Sequence, residues 1–395
     1  MIANGFRRHP VLAVHVLLVA LLLIGLVQRT GAAYLHWVAL YGCVLTATYT
    51  SIFRWKPIKN TVAGKGELPL RSLFLGTFAI TVLLAASHWG TLGHVPLIEA
   101  LRQTDDLRVN ALRHASNDVP VWINYAGSFV IKALVPVALL LAWSGHRKWF
   151  WSMAIVASVY ALSLIQKSHT ITLFVPLWIA FLVSRKWIAF GSLSAVFMLL
   201  LGLLVVVGKP EKLQQVSAGA GDQAPVLDEG VAKRGLVGDV VWSLGRRILF
   251  MPGWTVAAWF EHVPADIPYQ QGAAVRPIGA LLGKPYRDLS SDVYALEYPE
   301  LAAQGTQGTM GSAAFMYDYA NFGGWGLAFA GVVTGALLYV ITLLFAGRWR
   351  WAMALNTYPL LALTATALPT VLLSHGWAAT LLLFVLFNDR SEPID

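Results

Sequence analysis

The sequence contains very little cysteine and little charge for its length. Only one of its 395 residues is a cysteine, Cys43, and it lies within an apolar run. A single cysteine excludes an internal disulfide framework and a paired-cysteine metal site. Charged residues make up 12% of the chain and hydrophobic residues 57%. Soluble proteins carry about twice that share of charge, so this composition is typical of a membrane protein.

Several familiar catalytic motifs are also missing. The sequence has no Walker loop, no His-Glu-x-x-His pair and no Gly-x-Ser-x-Gly elbow. The adjacent acids Asp105 and Asp106 imitate the acid pairs that hold a metal–phosphate in some lipid-linked sugar transferases, but two acids in a polar loop are a weak signal. We therefore predict no bound metal and no cofactor.

The net charge of +9 arises from the short segments between apolar runs. The segments that we assign to the cytoplasm hold 14 basic residues and four acids, whereas the rest of the chain holds 15 basic residues and 16 acids. Cytoplasmic loops of membrane proteins are enriched in Lys and Arg, so the basic excess is a topology signal. It therefore argues against nucleic acid as a partner.

The apolar runs predict an all-α polytopic integral membrane protein with about ten transmembrane helices and both termini in the cytoplasm. The runs lie at about 11–27, 34–53, 70–88, 126–143, 149–166, 170–184, 187–207, 323–346, 352–370 and 373–388. Residues 1–207 then hold helices 1–7 with an external loop at about 89–125. Residues 208–322 form one large external loop with short amphipathic helices. Residues 323–395 hold helices 8–10 and a short cytoplasmic tail.

The large loop is the longest break in the apolar sequence. Its segment 209–317 contains nine of the 29 Lys and Arg residues and 11 of the 20 acids. Within it, Arg246 and Arg247 lie between two apolar stretches that are each too short to cross the bilayer. This pattern predicts short helices at the membrane surface that hold two cations there.

The smaller external loop and two turns add further polar residues. The apolar spacing of Leu97 to His114 predicts one interfacial helix with its arginines exposed. Lys132 lies about two turns inside the fourth span and either snorkels to the interface or is functional. Lys167 and His169 share a tight external turn. Ionisable residues at that depth favour a function, although interface anchoring remains the alternative for Lys167.

The external cations match the chemistry of a lipid-linked diphosphate, which lies at the same depth. Arginine forks fit diphosphate geometry and stay charged at any relevant pH. Fixed cations also offset the charge that develops on a leaving diphosphate, without a metal. The candidates are Lys167, Arg246, Arg247, Arg276 and Arg287. Lipid headgroups are an alternative partner for all of them, and Asp288 or Asp292 is one for Arg276 and Arg287.

A transfer reaction also needs a general base that accepts a proton from a sugar hydroxyl. Of the acids and histidines expected on the outer side, Glu261 and His169 are favoured. Glu261 follows an apolar stretch shortly after the arginine pair, and His169 shares its turn with Lys167. Asp318, His375 and His262 are the other candidates.

At these residues the chain resembles the O-antigen polymerase family, the Wzy-type oligosaccharide repeat-unit polymerases of bacterial envelopes. One feature is the Gln166-Lys167 turn after an apolar span. Another is the arginine-containing segment followed by Pro252 and an amphipathic stretch inside one large external loop. The segment Tyr317–Gly326, with its aromatic residues, Phe-Gly and a further Gly, is similar to the one that ends the loop in the family. With the topology, the resemblance covers most of the chain.

The resemblance implies a metal-independent glycosyl transfer at the outer face of the bacterial inner membrane. Its substrates would be undecaprenyl-diphosphate-linked oligosaccharides as donor and acceptor, and a chain-length regulator would be a partner. Lys167, Arg246, Arg247 and Arg276 would hold the donor diphosphate. Single displacement of an α-linked diphosphate predicts inversion, because no nucleophile for a covalent intermediate is evident.

Three other classes of protein remain as alternatives. An O-antigen ligase, which transfers the glycan to lipid A–core, is expected to have a basic His-bearing motif late in the loop, whereas residues 290–311 contain acids but no His or Arg. A lipid-linked oligosaccharide flippase is expected to place charges inside its spans, which are almost free of charge here. A membrane scaffold gives no reason for cations at the interface.

Overall fold

Apolar segments that lie in hydrocarbon form helices because a helix satisfies every backbone N–H and C=O within its own segment. The structure, a computed structural model, describes residues 7–55, 68–103, 105–208, 242, 245–246, 249–303 and 308–387. In these ranges the regular structure is helical and there is no strand. The all-α class is therefore confirmed for the part of the chain that is described.

The helices are numbered in chain order. They are α1 (Pro10–Thr30), α2 (Leu35–Trp55), α3 (Leu70–Leu92), α4 (Pro96–Leu101), α5 (Asp106–Ala115), α6 (Val121–Phe129), α7 (Val135–Gly145), α8 (Arg147–Ser163), α9 (Lys167–Thr172), α10 (Val175–Val183), α11 (Trp187–Gly208), α12 (Met251–His262), α13 (Arg276–Leu281), α14 (Leu289–Glu297), α15 (Pro299–Ala303), α16 (Ala314–Phe322), α17 (Gly324–Leu344), α18 (Trp349–Ala362), α19 (Leu368–Leu372) and α20 (Trp377–Phe387). A π-helical turn, Val130–Leu134, joins α6 to α7.

Six of the helical segments described are long and apolar enough to cross a membrane. They are Pro10–Thr30, Leu70–Leu92, Val121–Trp143, Trp187–Leu204, Gly324–Leu344 and Leu368–Phe387. A multi-pass membrane protein is thus supported, whereas the count of ten remains a prediction. The other four predicted spans fall on α2, α8, α9 with α10, and α18. Of these, α8, α10 and α18 have 17, 9 and 14 residues, fewer than the roughly 20 of a full span.

The helices fall into two units that are each discontinuous in sequence. The first unit contains α1, α2, α12–α17, α19 and both ends of α18. The second unit contains α3–α11, α20 and the middle of α18.

Glycines bring two helices of the first unit into backbone contact. A Cβ atom at Gly335 of α17 would lie 2.6 Å from the carbonyl oxygen of Leu45 in α2, and one at Gly331 would lie 3.0 Å from that of Tyr41. Small residues four positions apart let membrane helices approach this closely. Nearby, the Tyr49 hydroxyl donates to Thr342 Oγ1 at 3.1 Å. The first unit is therefore built around the α2–α17 pair.

A second close crossing joins α1 to α12. A Cβ atom at Gly25 would collide with the carbonyl of Phe250, and one at Gly253 would collide with that of Leu22. The large loop of the sequence therefore returns to α1, and the start of α12 is fixed against the second half of α1.

In the second unit, the span Val121–Trp143 is the most buried of the six. It packs against α3, α8, α9, α10 and α20. Lys132 lies in its π-helical turn. Such turns are rare and are frequent at functional sites, so both predictions for Lys132, a residue that reaches for the interface and a functional residue, remain open.

The predicted helix from Leu97 to His114 is divided into α4 and α5. Its arginines are exposed, as expected. The division has a packing reason, because Ala100 and Val109 are both buried in one cluster with Ile165. Residues nine positions apart lie on opposite faces of a straight helix, so only a break lets both reach the same cluster.

The glycine contact between α2 and α17 provides a test of the first unit. Gly335→Ala is expected to destabilise the protein by about 1–3 kcal/mol, because the added methyl group meets backbone that cannot rotate away. Gly42→Ala on α2 is the matched control, since a Cβ there meets no atom within 4 Å. Thermal unfolding in detergent, followed by tryptophan fluorescence, measures the difference. Equal melting temperatures for the two variants would contradict the close packing.

Candidate functional site

An ionic network in the first unit connects the end of α1 to the large loop. Arg29 donates a hydrogen bond to the carboxylate of Glu261. It also donates to Glu297, from Nη1 to Oε2 at 3.0 Å and from Nη2 to Oε1 at 2.6 Å. His262 contacts the same Glu297 through Nε2 at 2.9 Å and Asp266 through Nδ1 at 2.6 Å. These contacts hold α12 and α14 to the C-terminal end of α1.

The network changes the interpretation of Glu261. Its carboxylate, predicted as a general base, is occupied by Arg29. Burial raises the pKa of the Glu297 carboxyl, but the hydrogen bonds and charges of Arg29 and His262 outweigh burial, so the net pKa is lowered. Glu297 is therefore an ionised anchor. The arrangement suits a structural role for Glu261 better than proton abstraction.

The predicted diphosphate-binding arginines of the first unit differ in their partners. Arg287 pairs with Asp292 at 2.6 Å. This contact favours the alternative prediction for Arg287, in which its partner is an acid of the loop. Arg276 is exposed, and its guanidinium lies 4.5 Å from the centre of the Tyr286 ring. Among the described residues Arg276 has no carboxylate partner. Arg246 is exposed too.

Asp318 and Asn321 lie one turn apart on α16. Burial raises the pKa of the Asp318 carboxyl to about 7. Asn321 is completely buried, and its Oδ1 accepts hydrogen bonds from the N–H groups of Gly272 and Ala274 at 2.8 and 3.1 Å. The segment that leads into α13 is thus tied to α16, which positions Arg276 at the start of α13.

The second unit holds a separate site at the turn before α9. Ile165 in this turn has a φ of +57°, a conformation that is strained for a β-branched residue. Its side chain is 2% exposed and packs against Val109 and Leu204, which holds the turn in place. The strained turn directs Leu164 and Gln166, on either side of it, to one cavity that His169 also lines.

This cavity has a volume of about 260 Å³. Its lining combines apolar surface with seven polar residues, which are His88, Asn117, Asn124, Ser128, Tyr160, Gln166 and His169. His169 is 9% exposed, and its Nδ1 has no hydrogen-bond partner. Burial, followed by the charges of Lys132, His88 and His375, lowers the pKa of His169 to about 3. The ring is neutral at physiological pH and is a weak base.

The remaining predicted residues are placed only in part. His375 and Lys132 lie close enough to His169 to influence its charge, and His375 Nδ1 is buried without a partner. Lys167 begins α9, but its side chain lies outside the described residues, as does all of Arg247.

The predicted residues therefore form two groups. Glu261, Arg246, Arg276, Arg287 and Asp318 belong to the first unit, and Lys167, His169 and His375 belong to the second. Sequence reasoning did not find Arg29, Glu297, His88 or Tyr160. For Arg29, the signal in the sequence was a single charge at the end of the first apolar run.

Within the described residues no group of three His, Cys, Asp or Glu side chains is arranged to hold a metal ion. The chain matches no known protein family, no curated protein and no solved structure.

Removal of Arg29 tests the ionic network. Arg29→Ala is expected to lower the stability by about 2 kcal/mol, because Glu261 and Glu297 lose a charged hydrogen-bond donor. Arg102→Ala is the control, since its pair with Glu99 is exposed and worth little. The full loss of stability is expected above pH 4.5, the ordinary pKa of Glu297. The loss should become smaller as the pH falls through the lowered pKa that Glu297 has in the folded protein. A loss that does not change with acidification would contradict this account.

Proposed function

We propose that the protein is a membrane-embedded glycosyltransferase that polymerises undecaprenyl-diphosphate-linked repeat units of O-antigen or another surface polysaccharide. The reaction takes place at the periplasmic face of the bacterial inner membrane, with both termini cytoplasmic. The observation that supports this most is Arg276, an exposed guanidinium fixed against an aromatic ring and without a carboxylate partner among the described residues.

Arg276 is suited to hold the donor diphosphate. The Tyr286 ring holds the guanidinium at 4.5 Å from its centre, and the N–H fork of an arginine offers paired donors that two phosphate oxygens can accept. Arg246 is the second exposed arginine, and Arg247 and Lys167 complete the predicted set. Arg287 contributes less, because Asp292 already holds it.

Asp318 is the best general base among the candidates. An efficient base has a pKa near the working pH, and burial brings the pKa of Asp318 to about 7. Glu261 is occupied by Arg29, and the pKa of His169 is lowered to about 3. We therefore assign proton abstraction to Asp318 and hydrogen bonding to His169.

In the proposed reaction the acceptor hydroxyl attacks the anomeric carbon of the donor glycan. A C–O bond forms to the acceptor while the bond to the diphosphate breaks, and its electron pair leaves with undecaprenyl diphosphate. The hydroxyl proton passes to Asp318, and the cations stabilise the charge on the leaving group without a metal. The single displacement inverts the anomeric configuration. A chain-length regulator is the proposed protein partner.

Deletion of the gene separates this function from its rivals. A polymerase deletion is expected to leave lipid A–core with one repeat unit and no ladder of longer glycans. Bare core with accumulated lipid-linked polymer would instead indicate a ligase. An unchanged ladder would refute both glycan-transfer functions.

Complementation of the deletion strain tests Arg276. Arg276→Ala is expected to abolish the ladder at normal protein level, because one bidentate charged contact to the diphosphate is lost. Arg276→Lys should restore only part of it, since lysine keeps the charge but not the fork. Arg102→Ala, an exposed arginine in the smaller loop, serves as the control and should give the full ladder. A full ladder from Arg276→Ala would remove this residue from donor binding.

The pH dependence of polymerisation tests Asp318. The carboxylate form is the active base, so the wild-type rate with purified lipid-linked repeat units should rise as the pH increases through about 7. Asp318→Asn should lower the rate by about 10²–10⁴-fold and remove this rise. Thermal unfolding of the variant controls for its fold. A variant that keeps the same pH profile would exclude Asp318 as the base.

A further inference from the structure

The cavity of the second unit differs in chemistry from a diphosphate site. No Asp, Glu, Lys or Arg contributes to its described lining. Its polar groups are amides, hydroxyls and imidazoles. Each of these groups can both donate and accept hydrogen bonds. A lining of this kind is suited to a ligand that is neutral and rich in hydroxyl groups.

The hydrogen bonds of His88 determine what the cavity offers. The carbonyl of Ser116 can only accept, so the His88 Nε2 at 2.9 Å from it carries a proton. In a neutral ring the other nitrogen, Nδ1, is then an acceptor, and it receives the O–H of Tyr160 at 3.1 Å. Tyr160 is itself 0% exposed, so its hydroxyl orients His88 and does not face a ligand. A side chain at position 127 would displace the Tyr160 hydroxyl, because a Cβ atom on Gly127 would lie 2.7 Å from its oxygen.

The amide groups are fixed in a similar way. Asn117 accepts from Gln166 Nε2 through its side-chain oxygen at 2.9 Å and from Asn124 Nδ2 through its backbone carbonyl at 2.7 Å. The side-chain amides of Asn124 and Gln166 each use one N–H in these bonds. The side-chain carbonyl oxygens of the two residues accept no hydrogen bond from a described residue. These oxygens are oriented and still open to a ligand.

His169 completes the set with a buried nitrogen that lacks a partner. Its Nδ1 is enclosed, and the residue is 9% exposed. A buried polar atom without a hydrogen bond costs about 1–3 kcal/mol. A ligand hydroxyl recovers this loss, because it can donate to or accept from either tautomer of the neutral imidazole.

We propose that this cavity binds one neutral sugar ring, whose hydroxyls bond to His169 Nδ1 and the amides of Asn124 and Gln166. The volume of about 260 Å³ lies just below the roughly 300–1,000 Å³ of pockets for drug-sized ligands, which is appropriate for a single ring. The choice of a sugar among neutral polyols rests on the proposed function. The cavity then selects which neutral sugar of a glycan the protein accepts.

Protection of an introduced thiol tests the cavity directly. The only native cysteine is removed as Cys43→Ser, and Ser128→Cys places a thiol in the lining of the cavity. Labelling by a maleimide is followed in the full-length purified protein in detergent. The probes are the methyl α-glycosides of glucose, galactose, rhamnose and N-acetylglucosamine, with glucuronate and inorganic phosphate as anions. Asp118→Cys, exposed in the neighbouring loop and outside the lining, is the control.

At least one neutral glycoside is expected to slow labelling of the Ser128→Cys protein in a saturable manner, without an effect on the control. His169→Phe in the same background should weaken the binding of the protecting sugar about tenfold. This factor corresponds to the loss of one hydrogen bond of about 1.4 kcal/mol. Asn124→Ala provides a second test where the first variant does not fold. Absence of protection by every neutral glycoside, or stronger protection by phosphate or glucuronate, would overturn the proposal.

The outcome is separable from that of the proposed function. Sugar protection together with an unchanged ladder in the deletion strain would keep the sugar site and refute the polymerase. A lost ladder without protection would keep the polymerase and refute the sugar site.

Discussion

Backbone polar groups in a bilayer have no water to bond, and the rest of this structure depends on that constraint. It forces the apolar segments into helices and leaves contact between helices to close packing rather than to a hydrophobic gain. In the first unit, glycines on α17 and α12 supply that packing against α2 and α1.

The two sites use charge in opposite ways. In the first unit Arg29 and Arg287 are paired with acids, whereas Arg276 has no carboxylate partner among the described residues. In the second unit the cavity lining is neutral, and hydrogen bonds orient its groups. A charged, solvent-exposed group is appropriate for an anion, whereas neutral donors and acceptors are appropriate for hydroxyls.

Much of the fold could be predicted because apolar runs and turns are local properties of the chain. Helices were found on the predicted spans, and the exposed arginines of the smaller loop were confirmed. The partners of Arg29 could not be predicted, because Glu261 and Glu297 lie 232 and 268 positions away in the sequence. The sequence also does not reveal the effects of burial. Burial raises the pKa of Asp318, which makes it a better base near neutral pH, and lowers the pKa of His169, which makes it a weaker base. The strained φ of Ile165 has no sequence signal at all.

The α2–α17 pair has a consequence for biogenesis. Tyr49 and its partner Thr342 are 293 positions apart, and ribosomes add about 5–20 residues per second. The helix α2 therefore waits roughly 15–60 s before the segment that packs on it is synthesised. During this time the surface that later receives Gly331 and Gly335 lacks its partner helix. Most of the second unit is translated within the same interval, so α2 reaches its final packing late.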